Sequence, residues 1–146
     1  MGTSAPFRVV LMSIHPEYAQ AILDGTKRVE FRKRALAPSV THVVIYSTAP
    51  VQRVVGWFKI GAQHVNAPEE LWNRFRDCGG VGYRDYSRYF RGKDKAVAIE
   101  VESVQRFAAP LSLQRDLGVE HPPQSFQYLN PRRLEVGSSL RRPAPD

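Results

Sequence analysis

The sequence predicts an α+β fold, a small curled mixed sheet or barrel with helices packed on it. Three observations carry this. Strand-like runs outnumber helical ones, they are short and mixed with helices, and no internal repeat is present. The length of 146 residues suits one domain, and 42% hydrophobic and 24% charged residues are close to the globular average.

Arg8–Ile14 is short, apolar and β-branched, and reads as a strand. Pro16–Asp24 reads as a helix: Pro16 suits the first helical position, Glu17 suits the positive end of the dipole, and Tyr18, Ala21 and Ile22 form one stripe. Gly25 can take the left-handed conformation that ends it. Lys27–Lys33 alternates, with Val29 and Phe31 on one face and Arg28, Glu30 and Arg32 on the other, as in a half-buried strand with a charged outer face. Leu36–Ser39 is a loop. His42–Ser47 is a nearly continuous apolar strand, broken by Thr48-Ala49-Pro50.

Arg53–Ile60 is another strand, with Gly56 as a bulge or close-approach point. Asn66–Asp77 is helical, with Leu71, Trp72 and Phe75 as its stripe. Residues 78–82 form a glycine-rich loop, and Gly79, Gly80 and Gly82 read as a flexible connector. Tyr83–Phe90 is a second short helix with Tyr86, Tyr89 and Phe90 inward. In Lys95–Val104, the clearest strand, Val97, Ile99 and Val101 face inward and Ala96, Ala98, Glu100 and Glu102 outward. Leu111–Leu117 is a helical turn, and Pro122-Pro123 leads into a strand-like Ser125–Leu129. The domain is expected over 7–130, with a polar, flexible tail at 131–146.

No apolar run exceeds four residues, against about 20 for a membrane-spanning helix, so no membrane association is expected. Val9–Met12 is too short for the core of a secretion signal. Cys78 is the single cysteine, which excludes an internal disulfide and fits a reducing cytoplasm. The four histidines are far apart with no H-x-x-x-H pair, and no metal site or cofactor is expected. Neither a phosphate-loop motif nor a G-x-S-x-G elbow is present.

The net charge is +7, and 16 of the 21 basic residues are arginine. They cluster: residues 27–34, K-R-V-E-F-R-K-R, set five cations against one glutamate, and residues 74–95 hold seven cations against three aspartates. Such clusters make a local positive field that attracts phosphates, and the guanidinium fork suits them; the alternative is a solvated charged face. Glu30 and Arg32 are two apart on a strand and share a face. Together they offer a held carboxylate for base N–H groups and a fork for phosphate or carbonyl oxygens; otherwise the pair ties strand to helix. Strict alternation would put Lys27 on the opposite face, so a turn after Gly25 must break the strand's start for Lys27 to join them. His15, with Ser13, stands at a helix start where a phosphate or a simple cap would sit. Tyr46 and Phe126 fit base stacking as well as they fit a core.

Ser13–Tyr18, followed by Ile22–Arg32, resembles the ASCH family, whose signature G-x-K-x-x-E-x-R is matched by Gly25, Lys27, Glu30 and Arg32. Tyr46–Pro50, Val54-Val55-Gly56, Tyr89–Gly92 and Pro122–Phe126 resemble stand-alone prokaryotic members, so the likeness runs from Val9 to Leu129. It implies a PUA-like β-barrel with flanking helices and a cleft beside the first helix and the strand after it. It also implies a module that binds RNA, another nucleic acid or a nucleotide through Ser13, His15, Lys27, Glu30, Arg32, Tyr46, Ser47, Gln124, Ser125 and Phe126. The alternative is an RNA-processing enzyme, a ribonuclease or a modified-nucleoside hydrolase, with Lys27 and Glu30 as acid/base groups; a protein-interaction adaptor is a third. Relatives that deacetylate N4-acetylcytidine use a lysine with a nucleophilic threonine three positions later. Glu30 stands at that position here, so this activity is not expected. Many relatives have lysine where His15 stands. A cytoplasmic monomer is expected.

Overall fold

A computed structural model describes residues 8–129. Its element order is β1 (Arg8–Ile14), α1 (Pro16–Asp24), β2 (Val29–Arg32), β3 (Val40–Ser47), β4 (Arg53–Asn66), α2 (Pro68–Phe75), α3 (Tyr83–Tyr89), β5 (Ala96–Leu111), α4 (Leu113–Leu117) and β6 (Phe126–Tyr128). The six strands form one curled sheet, a half-barrel in the order β2-β5-β4-β3-β1-β6. Only β1 and β3 pair in parallel; the other neighbours are antiparallel. The fold is α+β of the PUA-like kind.

Alternation sorts the strand residues into three packed groups. Val10, Met12 and Ile14 of β1 meet Ile22 of α1 and Val97, Ile99 and Val101 of β5 inside the curl. Val9 and Leu11, pointing the other way, pack with Val44, Tyr46, Val54 and the two leucines of α4. Val29 and Phe31 of β2 pack with Ala96 and Ala98 under α2 and α3. Each fully buried Leu, Ile or Phe contributes about 1.5–3 kcal/mol relative to exposure.

Two readings are corrected here. Ala96 and Ala98 face a helical layer and are both 0% exposed. β5 is therefore covered on two sides, and small alanines let α2 and α3 approach closely. Likewise β2 has no solvated charged face, since Glu30 is buried while Val29 and Phe31 pack under the helices.

The antiparallel β4–β5 pair is longer than the sequence suggests. Residues 61–66 show no clean alternation, yet Gln63, His64, Val65 and Asn66 pair with Ile99, Ala98, Val97 and Ala96. Register shifts at Lys59/Ile60 and Ile60/Gln63 break the period and let the sheet curl. At Gly56 a Cβ would lie 2.5 Å from the Gln105 carbonyl oxygen, so β4 and β5 close on a position that tolerates no side chain.

The glycine-rich loop is also corrected. A Cβ on Gly79 would lie 2.6 Å from the Phe31 ring, and one on Gly80 2.8 Å from the Lys27 stem. Gly80 has φ +66°, and the Cys78 carbonyl accepts from Arg28 N–H at 2.7 Å. Gly79 and Gly80 thus form a fitted cover over β2 rather than a loose connector. The expected tail at 131–146 lies outside the described residues. Among the described residues no helix is long and apolar enough to cross a membrane.

Candidate functional site

The site begins where α1 stops. Gly25 adopts φ 86°, and the N–H groups of Thr26 and Lys27 both return to the Ala21 carbonyl. This tight end delays β2 until Val29 and carries Lys27 round to the side of Glu30. Lys27 is 2% exposed; its Nζ lies 3.6 Å from Glu30 Oε1 and donates to the Gly79 carbonyl. It also sits over the Tyr18 and Phe31 rings, at 5.1 and 5.4 Å from their centroids. Burial pushes the ammonium below the ordinary lysine value, and the charge and hydrogen bond of Glu30 oppose that shift.

Glu30 and Arg32 project from the opposite face of β2 to Val29 and Phe31. Arg32 Nη1 donates to Glu30 Oε2 at 3.0 Å and Nη2 to Ser125 Oγ at 2.6 Å. Among the described residues, Arg32 Nε is buried without a hydrogen-bond partner. Ser13 Oγ donates to the Pro123 carbonyl at 2.6 Å, and Ser13 N–H to the Ser125 carbonyl at 3.0 Å. These bonds fasten the chain before β6 to both β1 and β2.

Above this set opens a cleft of about 680 Å³. Lys27, Glu30 and Arg32 share its lining with Ser13, His15, Gln124 and Ser125. His15 is exposed at the start of α1, its Nδ1 3.5 Å from Thr48 Oγ1. The structure does not bring the other three predicted residues onto the wall. Tyr46 points to the far side of the sheet, 5% exposed, among the residues packed under α4. Ser47 is buried at the end of β3, and its neighbour Thr48 takes the place at the cleft. Phe126 packs on the inner core with the Arg34 guanidinium 5.4 Å from its ring centroid.

Several lining residues escaped the sequence reading. Lys33 and Arg34 continue the charge run of 27–34, and Lys93 belongs to that of 74–95, so charge clustering was the available signal. Asp85 and Tyr89 arrive from α3, which the β2–β5 pairing and the Gly79-Gly80 cover set beside β2. Tyr89, expected inward from its spacing, is 39% exposed because it ends its helix beyond the covered region. Among the described residues, five Lys or Arg side chains and two carboxylates line the cleft, and no group of three His, Cys, Asp or Glu could hold a metal ion. Chemically the floor offers a fixed carboxylate flanked by an ammonium and a guanidinium. Such a set can orient a polar ligand edge, stabilise an anion or exchange a proton.

The sequence of the ASCH domain family matches residues 12–105, from the middle of β1 into β5. An ASCH domain-containing ribonuclease of Zymomonas mobilis is 32% identical over 134 residues, covering 89% of this chain and 90% of that protein. The crystal structure of ASCH from Zymomonas mobilis superposes with a TM-score of 0.83 at 31% identity, over 90% of this chain and 94% of that one. Large ribosomal subunit protein uL22 of Ureaplasma parvum is 29% identical over 121 residues, and the chain spans 39% of that protein's length. With its signature residues gathered on one cleft floor and its fold shared along nearly the whole length of a relative, the chain belongs to the ASCH domain family.

Proposed function

We propose that the protein binds RNA in this cleft, with Lys27, Glu30 and Arg32 as the floor and Lys33, Arg34 and Lys93 as a basic rim. The observation that carries the reading is the buried Lys27–Glu30 pair with the part-buried Arg32 beside it, opening onto a cleft of about 680 Å³. Glu30 offers an acceptor to base N–H groups, while the flanking cations face carbonyl or phosphate oxygens. The rim cations meet the strand's phosphates and release counterions on contact.

A second reading, ribonuclease turnover, is favoured by one observation: a relative of matching length carries that activity in its name. In that reading Glu30 takes the proton of a ribose 2′-OH as that oxygen bonds to phosphorus, Lys27 and Arg32 stabilise the charge that develops on the non-bridging phosphoryl oxygens, and the P–O5′ bond breaks with the 5′-oxygen leaving and taking up a proton. Deacetylation of N4-acetylcytidine is not part of either reading, since a carboxylate at position 30 cannot act as a hydroxyl nucleophile.

One labelled single-stranded RNA oligonucleotide, titrated at low and moderate salt, tests both. Affinity should fall steeply with salt, with a logarithmic slope of about −0.7 per phosphate contacted. Salt-independent affinity, or no binding at low salt, rejects the RNA reading. Denaturing gels of the same mixtures show an unshortened strand for binding alone and shorter products, lost in a Glu30→Gln variant, for turnover.

A further inference from the structure

Three tyrosine rings stand exposed among the described residues, Tyr83, Tyr89 and Tyr128, and of these only Tyr89 lines the cleft. Its ring is held rather than free. The ring meets Phe90 edge-on, with centroids 4.7 Å apart and planes at 76°. Lys33 Nζ lies 4.5 Å from the ring centroid. Tyr86, one turn earlier in α3, anchors the helix by donating its hydroxyl to the Pro68 carbonyl at 2.6 Å. The result is a fixed aromatic platform at the rim, with a cation against the ring and the Lys27–Glu30–Arg32 floor below.

From this we infer that Tyr89 is the stacking residue of the cleft, and that the ligand is a single-stranded RNA presenting an unpaired base to it. The inference rests on the RNA reading of the same cleft. A base sandwiched on Tyr89 needs an open π-face, which a duplex hides in its own stack. Lys33 then serves twice, as a cation on the ring and as a contact for the neighbouring phosphate. A bare polyanion would use Lys33, Arg34 and Lys93 but gain nothing from the ring.

The test compares wild type, Tyr89→Phe and Tyr89→Leu against three probes: a single-stranded RNA, the same strand annealed to its complement, and inorganic polyphosphate. Tyr89→Leu should bind the single strand roughly ten- to hundredfold more weakly, as expected for loss of one base–aromatic stack. Tyr89→Phe should stay close to wild type, and polyphosphate should bind all three alike. In wild type, 2-aminopurine within the single strand should lose fluorescence on binding, a readout that needs no variant. Full-strength binding of the single strand by Tyr89→Leu, an equal loss for polyphosphate, or duplex bound as tightly as single strand would overturn the inference while leaving RNA binding intact. Wild type that binds no RNA at low salt would overturn the underlying reading and this inference with it.

Discussion

Lys27 is a charged residue carried into the core, and its environment shows what that requires. Its aliphatic stem packs under Gly80, and its ammonium meets the Gly79 carbonyl and Glu30. Desolvation still dominates, and the ammonium ionises below the ordinary value of 10.5. Between that lowered value and 10.5 the unfolded chain binds more protons than the folded one. Stability from this group therefore rises with pH across that window. Urea unfolding of wild type and Lys27→Met, followed from neutral pH to about pH 10, should show wild type gaining on the variant. Parallel profiles would mean that the ammonium is not desolvated. Tyr86 works in the opposite sense: burial raises its phenol to about 12, so its contribution is kept below pH 10 and lost as pH climbs beyond it.

At the scale of elements, the site depends on where α1 ends and on what covers β2. The Gly25 turn releases Lys27 from strand alternation, and the Gly79-Gly80 cover then fixes it from above. Gly80→Ala would force a left-handed backbone on an L side chain and set its Cβ 2.8 Å from the Lys27 stem. It should destabilise the fold by about 1–3 kcal/mol and weaken RNA binding by displacing Lys27. Gly82→Ser is the control. Gly82 has φ −77° at the start of α3, with open space where its Cβ would be. A serine there can cap the helix, and stability should hold or improve. Denaturant melts of the two variants decide it: equal effects would show that the cover is not fitted to Lys27.

On the scale of the whole molecule, β2 and β6 are the outermost strands of the half-barrel among the described residues, and the cleft lies between them. Side chains rather than a backbone ladder join them. Arg32 reaches from β2 to Ser125, just before β6, and its Nη1 also approaches the Ser13 carbonyl of β1 at 3.4 Å. The Glu30–Arg32 pair is therefore both a structural tie and part of the cleft floor. A Lys at position 32 has no fork to span Glu30 and Ser125 together. Arg32→Lys should cost about 1–3 kcal/mol of stability and weaken RNA binding as well. Loss of stability with undiminished RNA affinity would make Arg32 a tie alone.

Local chemistry is what a linear chain displays best. β1 and α1 were legible to their end residues, because β-branched apolar runs, Pro16 and Gly25 are signals contained within a few positions. The signature Gly25, Lys27, Glu30 and Arg32 was legible for the same reason, being confined to eight residues of one turn and one strand. What the chain could not display was which face of each element would be covered, and by what. Tyr46 and Tyr89 are both aromatics near basic residues; packing under α4 buries the first, while the end of α3 leaves the second open on the cleft. Ala96 and Ala98 look like an outward face until α2 and α3 cover it. The length of β4 came from its partner strand rather than from its own alternation. Period and turn chemistry are local properties of the backbone. Burial and proximity arise only when segments as distant as Arg32 and Ser125 are brought together by the curl of the sheet.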